Sequence, residues 1–485
     1  MTLSLEDASK RLAEKDETLW GSAARATARE RLGWIDLPEN SRQLLPALDA
    51  LAAWARSNHL TRVVLSGMGG SSLAPEVIAK EKNRELILLD STHPVDVKSA
   101  LDPDPSQTIF VISSKSGQTI ETLSHLKAIV KRINDANLSL SNHVVVISDP
   151  GSPLEDWASE HEVRFFSGDA QVGGRFSALS IFGLLPSALL GIDCAELLDD
   201  AADMKSKIVK AFGSGAADPA IVLAEEILAH QPFLQLPVNP LSDWIEQLVA
   251  ESTGKDGVGI TPIVSPHFNE ESAPIVTASF NAPLGGSFYL WEWTTALLGV
   301  ALGVNPFDQP NVASAKEATN KALAELTSGS KVETAKLGAI NSTAEATDAI
   351  SKILKDLSRD TERYLALLAF TPMRDSSART LVSEFRETLE RALPERISLG
   401  FGPRYLHSTG QCHKGGPDIG TFIILTINSD GDYVIPEEAY TFNQLLTAQA
   451  LGDFSALREA GRDAIYINLE WSELAKITQS LREAF

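Results

Sequence analysis

The chain has 485 residues, 44% of them apolar, so it is long enough for two or three globular domains and is not of the disordered class. Its formal net charge of −22 excludes nucleic acid and anionic membranes as natural partners, and any small anion must meet a local group of cations. The two cysteines, Cys194 and Cys412, predict no disulfide framework. This scarcity of cysteines favours a reducing cytoplasm, and we find neither a signal peptide nor a membrane-spanning run.

The first 215 residues divide into two parts. Residues 1–57 have the pattern of helices with charged faces, whereas residues 58–215 alternate strands with helices. The strands predicted in the second part are short and largely apolar: 62–66, 86–90, 108–113, 143–148 and 163–166. This alternation is typical of a parallel sheet covered on both faces, which binds ligands beyond the carboxyl ends of its strands.

The pattern restarts near Gln231. Further strands are predicted at residues 233–238, 259–264, 273–280, 397–401, 421–427 and 464–468. Helical patterns cover residues 243–252, 290–303, 346–370 and 377–392, and residues 328–347 have the composition of a surface loop. We therefore predict an α/β protein with two parallel-sheet domains and helical elaborations at both ends. The second domain has its core at 216–330 and is completed by 331–485.

A polar segment between a strand and a helix forms a candidate anion site. Ser114, Lys115, Ser116 and Thr119 lie where the helix N-terminus offers unpaired N–H groups and a partial positive charge. A polar helix cap is the alternative interpretation, but the lysine favours an anion site.

The strand at 62–66 runs into a second candidate loop, a glycine-rich turn that contains Gly70 and Ser71. Such a turn lets backbone approach a ligand closely. Neither the dinucleotide-binding spacing of glycines nor the phosphate loop of nucleotide-binding enzymes is present, so we exclude both of those classes.

Three more charged residues stand in motifs. Arg175 follows two glycines, Glu251 closes a helix that is apolar on one side, and Lys316 lies one turn inside a helix that follows Gln309. Each alone is read most simply as a solvated surface charge.

The order of these motifs resembles the phosphoglucose isomerase family. The order is Gly-Met-Gly-Gly-Ser, Ser-Lys-Ser-Gly-Gln-Thr, Gly-Gly-Arg-Phe-Ser, Glu-Ser-Thr-Gly-Lys and Phe-Asp-Gln-Pro, within residues 60–320. Residues 404–417 look like the branch in which the isomerase is fused to transaldolase, of which only the isomerase half is present. The resemblance implies two sugar isomerase (SIS) domains, a homodimer with a shared site, and no cofactor.

The resemblance also implies residue roles in interconverting glucose 6-phosphate and fructose 6-phosphate. Glu251 matches the base that moves a proton between C2 and C1, and Arg175 matches the group that stabilises the enediolate. The loop that binds the substrate's phosphate in this family is matched by Ser114, Lys115, Ser116 and Thr119. The family's residues that contact the sugar are matched by Gly70, Ser71, Gln309 and Lys316. The lysine of the family also contributes to ring opening.

The histidine that opens the sugar ring departs from the family pattern. The interval between Glu251 and Gln309 contains only His267, whose surroundings do not match. We expect His407 to take the role, because His-Ser-Thr-Gly is similar to a family loop, with His413 as the alternative and as a possible substrate contact.

Two other functions fit the same motifs. A sulfonated hexose such as sulfoquinovose carries a tetrahedral monoanion that the same loop would hold. The second alternative is a protein that senses a sugar phosphate and has no catalytic activity. Such a sensor does not need Glu251, Arg175 and Lys316 together. The scattered histidines give no metal-ligand spacing, so we expect no metal.

Overall fold

The computed structural model describes residues 3–327, 339–428 and 431–485. The N-terminal segment is helical, with α1 (Leu5–Ala13), α2 (Arg25–Arg29), α3 (Leu37–Asn40) and α4 (Leu45–Ser57). It packs onto the rest of the chain through polar as well as apolar contacts. The indole of Trp20 donates to the carbonyl oxygen of Ala296 at 3.0 Å, and the indole of Trp293 donates to Ser9 Oγ at 2.9 Å.

The first sheet has the strands that the apolar runs predict, within one or two residues. They are β1 (Arg62–Ser66), β2 (Ile87–Leu89), β3 (Thr108–Ser113), β4 (Val144–Ser148) and β5 (Arg164–Ser167), all parallel, in the order β2-β1-β3-β4-β5. The intervening helices are α5 (Leu73–Glu81), α6 (Pro94–Leu101), α7 (Ile120–Asp135), α8 (Leu140–His143) and α9 (Pro153–Glu160). Every residue of β3 and β4 is buried, as expected of central strands covered on both faces.

A mainly helical region follows, with α10 (Ile181–Leu189), α11 (Cys194–Ala211), α12 (Pro219–Ala229), α13 (Pro240–Thr253), α14 (Pro274–Ser279), α15 (Leu284–Leu302) and α16 (Val312–Thr327). It contains one short parallel pair, β6 (Phe233–Leu236) and β7 (Thr261–Val264). The strand predicted at 273–280 is wrong, because these residues form α14. The carboxylate of Glu226 accepts the first free N–H groups of that helix, from Ile275 at 3.1 Å and from Val276 at 2.7 Å.

The second sheet lies wholly after residue 363. Its strands β8 (Tyr364–Phe370), β9 (Ile397–Phe401), β10 (Gly420–Ile427) and β11 (Asp463–Leu469) are parallel, in the order β11-β10-β8-β9. The helices are α17 (Thr343–Leu357), α18 (Ser376–Ala392), α19 (Gly410–Gly415), α20 (Phe442–Glu459) and α21 (Trp471–Ala484).

Two predictions fail here. The helix expected at 346–370 ends at Leu357, and its last part is the central strand β8. The loop expected at 328–347 ends earlier, because α17 begins at Thr343 with Ser342 as its cap, while residues 328–338 lie outside the described residues.

The two sheets share one strand order. Counted along the chain, β2-β1-β3-β4 and β9-β8-β10-β11 both run second, first, third, fourth. This repetition, with helices on the faces, confirms the prediction of an α/β protein with two parallel sheets. The exact division at residues 215 and 330 stays an interpretation.

Buried ion pairs join the two sheets. Arg404, just after β9, contacts the carboxylates of Glu76 and Asp90, the latter at 2.8 Å. Arg374 contacts Asp90 at 3.1 Å, and its backbone N–H, like that of Met373, donates to Asp96 at 3.0 Å. We call this group the latch.

In the described part of the chain, no helix is long and apolar enough to cross a membrane.

Candidate functional site

A cavity of about 540 Å³ lies beyond the carboxyl ends of β1 and β3. The structure brings to this cavity all the predicted site residues except Ser114 and His413. Those that line it are Gly70, Ser71, Lys115, Ser116, Thr119, Arg175, Glu251, Gln309, Lys316 and His407. Residues more than 300 positions apart in the chain thus meet in one chemical site.

Glycine permits the close approach of the loops around this cavity. A Cβ on Gly70 would lie 2.1 Å from the carbonyl oxygen of Gly174, in the loop that carries Arg175. Gly69 has φ of +55°, and a Cβ there would lie 2.7 Å from the carbonyl oxygen of His407. The turn after β1 is therefore packed against both the arginine loop and the histidine loop.

Glu251 and Arg175 form a partly buried pair. Oε1 of Glu251 lies 3.4 Å from Nη1 of Arg175, and the two side chains are 14% and 2% exposed. Arg175 is held by Ser252 Oγ at 2.7 Å and by the carbonyl oxygens of Pro306 and Asp308. The guanidinium is thus fixed beside the carboxylate, and Glu251 keeps contact with the cavity.

Gln247 is a site residue that the sequence analysis missed. One turn before Glu251 on α13, its Nε2 donates to Oε2 of Glu251 at 3.1 Å and to the carbonyl oxygen of His407 at 2.7 Å. The amide therefore joins the candidate base to the candidate histidine loop. A polar residue four positions before Glu251 was the available signal, because such residues share one helix face.

Lys255 fixes the loop that precedes α16. Its ammonium contacts the carbonyl oxygen of Asn305 at 2.6 Å and the carboxylate of Asp308 at 2.8 Å. Burial, assisted by the nearby positive charge of Arg175, lowers the pKa of Lys255 to about 8. The lysine positions the segment that bears Gln309 and does not line the cavity itself.

The predicted anion loop is assembled at the start of α7. Gly117 has φ of +66°, and the buried Ser114 contacts the hydroxyl of Thr119 at 3.0 Å, so Ser114 supports the loop from behind. The ammonium of Lys115 lies 2.5 Å from Oδ2 of Asp149 and donates to the carbonyl oxygen of Asp169 at 3.0 Å. Hydroxyls, a helix N-terminus and a lysine therefore face one end of the cavity, as an anion site requires.

His407 enters the cavity from the segment that follows β9. Its Nε2 lies 2.9 Å from Oε1 of Glu121, which also accepts a hydrogen bond from Gln449 at 2.7 Å. Burial alone would raise the pKa of Glu121, but the charge and hydrogen bond of His407 lower it. Glu121, the second residue of α7, was not among the residues predicted from the sequence.

The other two histidines considered lie elsewhere. His413 is buried between the rings of Tyr405 and Phe422, where burial and the charge of Lys414 lower its pKa to about 3. The structure therefore does not support His413 as a substrate contact. His267 has a side chain that is 62% exposed and lies near Glu390, outside the cavity. Within the described ranges, no group of three or more metal-ligating side chains is assembled.

Known proteins resemble this chain over part of its length. Residues 47–224 match the Phosphoglucose isomerase family. A "Probable glucose-6-phosphate isomerase" of Natronomonas pharaonis is 36% identical over 208 residues, which cover 41% of this chain and 49% of that protein. A "Glucose-6-phosphate isomerase" of Thermus thermophilus is 32% identical over 270 residues, which cover 52% of this chain and 60% of that protein. The chain therefore spans between 49% and 60% of the length of these relatives.

The fold has a solved counterpart. The crystal structure of a glucose-6-phosphate isomerase from Chlamydia trachomatis superimposes with a TM-score of 0.50 at 19% identity, covering 66% of this chain and 79% of that one. This likeness supports the architecture. Residues 47–224 of this chain are thus similar to the Phosphoglucose isomerase family, and the similarity to the two relatives extends over 41% and 52% of the chain.

Proposed function

We propose that this chain interconverts glucose 6-phosphate and fructose 6-phosphate. The observation that carries the proposal is the pairing of Glu251 with Arg175 in a cavity whose other end is an anion loop. A carboxylate and a fixed cation are what proton transfer next to a carbonyl needs, and the loop suits the phosphate of the substrate.

The proposed reaction moves one proton between two carbons. Glu251 removes the proton from C2 of the open-chain aldose and returns it to C1. A second proton moves from the C2 hydroxyl to the oxygen on C1, so the C1 carbonyl becomes a hydroxyl and the C2 hydroxyl becomes a carbonyl. The intermediate is a cis-enediolate, whose negative oxygen Arg175 stabilises. Because Ser252 and two carbonyl oxygens already orient the guanidinium, little reorganisation is needed as charge develops.

Ring opening falls to His407 in this proposal. A proton must move from the anomeric hydroxyl and another to the ring oxygen, and an imidazole suits both tasks near neutral pH. Glu121 contacts the Nε2 atom, so Nδ1 is the ring nitrogen left for the substrate. Gln309 and Lys316 line the same cavity and would contact the sugar. The pairing of two chains and a cytoplasmic location stay predictions.

A coupled assay tests the proposal. Purified protein is given fructose 6-phosphate with EDTA present, and glucose 6-phosphate formation is followed through its dehydrogenase. We expect turnover that EDTA does not change. Sulfoquinovose is run beside it: turnover of the sulfonate alone would favour the sulfonated-hexose alternative, and turnover of neither compound would favour the sensor.

The role of His407 has its own test, made in a Glu251→Gln background where isomerisation is blocked. Exchange between the α and β anomers of glucose 6-phosphate is measured by NMR magnetisation transfer. Adding His407→Ala should slow the protein-dependent exchange by about 10²-fold or more, because a positioned acid–base group is lost. Adding Glu121→Gln should slow it less.

The control for this experiment is His267→Ala, which removes an exposed histidine outside the cavity. It should leave the exchange rate unchanged. Exchange that persists in the His407→Ala double variant would assign ring opening to another group, with Lys316 the next one to replace.

A further inference from the structure

The cavity has a cation that comes from the N-terminal helical segment. Arg31 follows α2 and lines the cavity together with Lys115 and Ser116. Its Nη1 donates to the carbonyl oxygens of Ala170 at 2.7 Å and Glu30 at 3.0 Å. In the described part of the chain, its Nε and Nη2 have no hydrogen-bond partner and the guanidinium has no carboxylate partner.

Lys115, by contrast, is already paired. Its ammonium lies 2.5 Å from Asp149, and the two side chains are 21% and 22% exposed, so its charge is largely compensated within the protein. Burial lowers the pKa of Lys115, Asp149 opposes this effect, and the positive charge of Arg31 adds to the lowering. Arg31 also contributes to the lowered pKa of Arg175, after the larger effect of burial. Arg31, Lys115 and Arg175 all line this cavity, so the charge of Arg31 acts where both of the other cations are placed.

The backbone around Arg31 holds it in this place. Gly33, two residues on, donates to the carbonyl oxygen of Gln171 at 3.0 Å, and Leu32 forms an antiparallel bridge with Val172. The segment that anchors Arg31 leads directly into Gly173, Gly174 and Arg175. The loop that presents Arg175 to the cavity thus also orients Arg31.

We propose that Arg31 binds the terminal phosphate of the substrate, which makes the N-terminal segment part of the active site; this inference rests on the proposed function. A guanidinium offers paired N–H donors that match phosphate oxygens, and two of its nitrogens are available. With Lys115 compensated by Asp149, Arg31 supplies the positive charge that a dianion needs at this end of the cavity.

The first test is kinetic. Arg31→Ala should raise KM for fructose 6-phosphate about 10- to 100-fold, the loss expected for a charge-assisted hydrogen-bonding group, while kcat stays within a few fold. Arg31→Lys should fall between wild type and Arg31→Ala. The matched control is Arg25→Ala on α2, the short helix that precedes Arg31, where Arg25 is 54% exposed and pairs with Glu17. Arg25→Ala should leave KM unchanged.

The second test separates this inference from the function itself. Binding of inorganic phosphate is measured by calorimetry, which needs no turnover. Wild type should bind phosphate at least 10-fold more tightly than Arg31→Ala, with Arg31→Lys between them and thermal unfolding of all three within a few degrees. If fructose 6-phosphate is not turned over but this difference stands, the isomerase proposal fails and the assignment of Arg31 holds. Equal phosphate affinity in wild type and Arg31→Ala, including no binding by either, overturns it.

Discussion

Glu251→Gln is expected to lower kcat for fructose 6-phosphate by about 10²- to 10⁴-fold, the contribution typical of a general base, with KM within a few fold of wild type. Glutamine keeps the shape and the accepting oxygen but has no basic lone pair. The new amide also meets the Nε2 donor of Gln247, whose own Oε1 is buried and has no partner. The new glutamine can turn its own amide oxygen toward that donor, which leaves the hydrogen bond from Gln247 Nε2 to the carbonyl oxygen of His407 in place, so the fold of the site should survive.

The control for this variant is Glu225→Gln, on the exposed side of α12, which should have wild-type kinetics. Hydrogen exchange gives a second readout. If one carboxylate carries the proton from C2 to C1, wild-type turnover in heavy water should retain part of the substrate hydrogen and lose part of it to solvent. Full retention together with an active Glu251→Gln variant would indicate a hydride shift instead.

Arg404→Ala should lower the free energy of unfolding by up to about 3–5 kcal/mol, because two buried carboxylates lose a buried cation. Among the described residues, Asp90 would keep only its ion pair with Arg374, and Glu76 would keep only its ion pair with Lys80. Asp90 is fully buried, and Arg404 is 11% exposed. Arg404 holds the pKa of Glu76 well below its ordinary value of 4.5, although burial alone would raise that pKa. A carboxylate with a lowered pKa stabilises the fold at neutral pH, and this contribution is lost as the pH falls below 4.5 and the group becomes protonated.

The difference in stability between wild type and Arg404→Ala should therefore be largest near neutral pH and shrink in acid. Urea unfolding at several pH values measures it. Arg379→Ala is the matched control, since Arg379 is an exposed arginine on α18 near the latch, and it should change the free energy of unfolding by no more than about 0.5 kcal/mol. An equal loss at all pH values would show that the packing of Arg404, and not its charge, stabilises the fold.

The first sheet was predictable because its strands are short apolar runs that end at Gly, Ser or Asp. The strands of the second sheet were harder to predict from the sequence. In β8, seven consecutive buried residues that include three leucines and two alanines give no period of two, and an apolar run of this kind fits a helix equally well. At 273–280 the local sequence favoured a strand, but Glu226 supplies the hydrogen bonds that start a helix there.

The site divides in a similar way. Residues in sequence motifs, such as Arg175 and Glu251, could be assigned to the candidate site from the sequence. Gln247, Glu121 and Arg31 stand in no motif and are brought to it by the fold. The choice between His407 and His413 depended on burial, which the sequence does not give. Both histidines stand near glycines, but only His407 reaches the cavity.

The latch has a mechanical consequence for the whole molecule. Asp96 accepts the N–H groups of Met373 and Arg374 from the loop after β8, the strand that corresponds to β1 in the repeated order. At the carboxyl end of β8, backbone N–H groups of the second sheet therefore bind a carboxylate from the first half of the chain. At the carboxyl end of β1, the corresponding strand of the first sheet, lies the cavity of the candidate site. Because the N–H groups of Met373 and Arg374 are already paired within the protein, they are not available to a ligand at this edge of the second sheet.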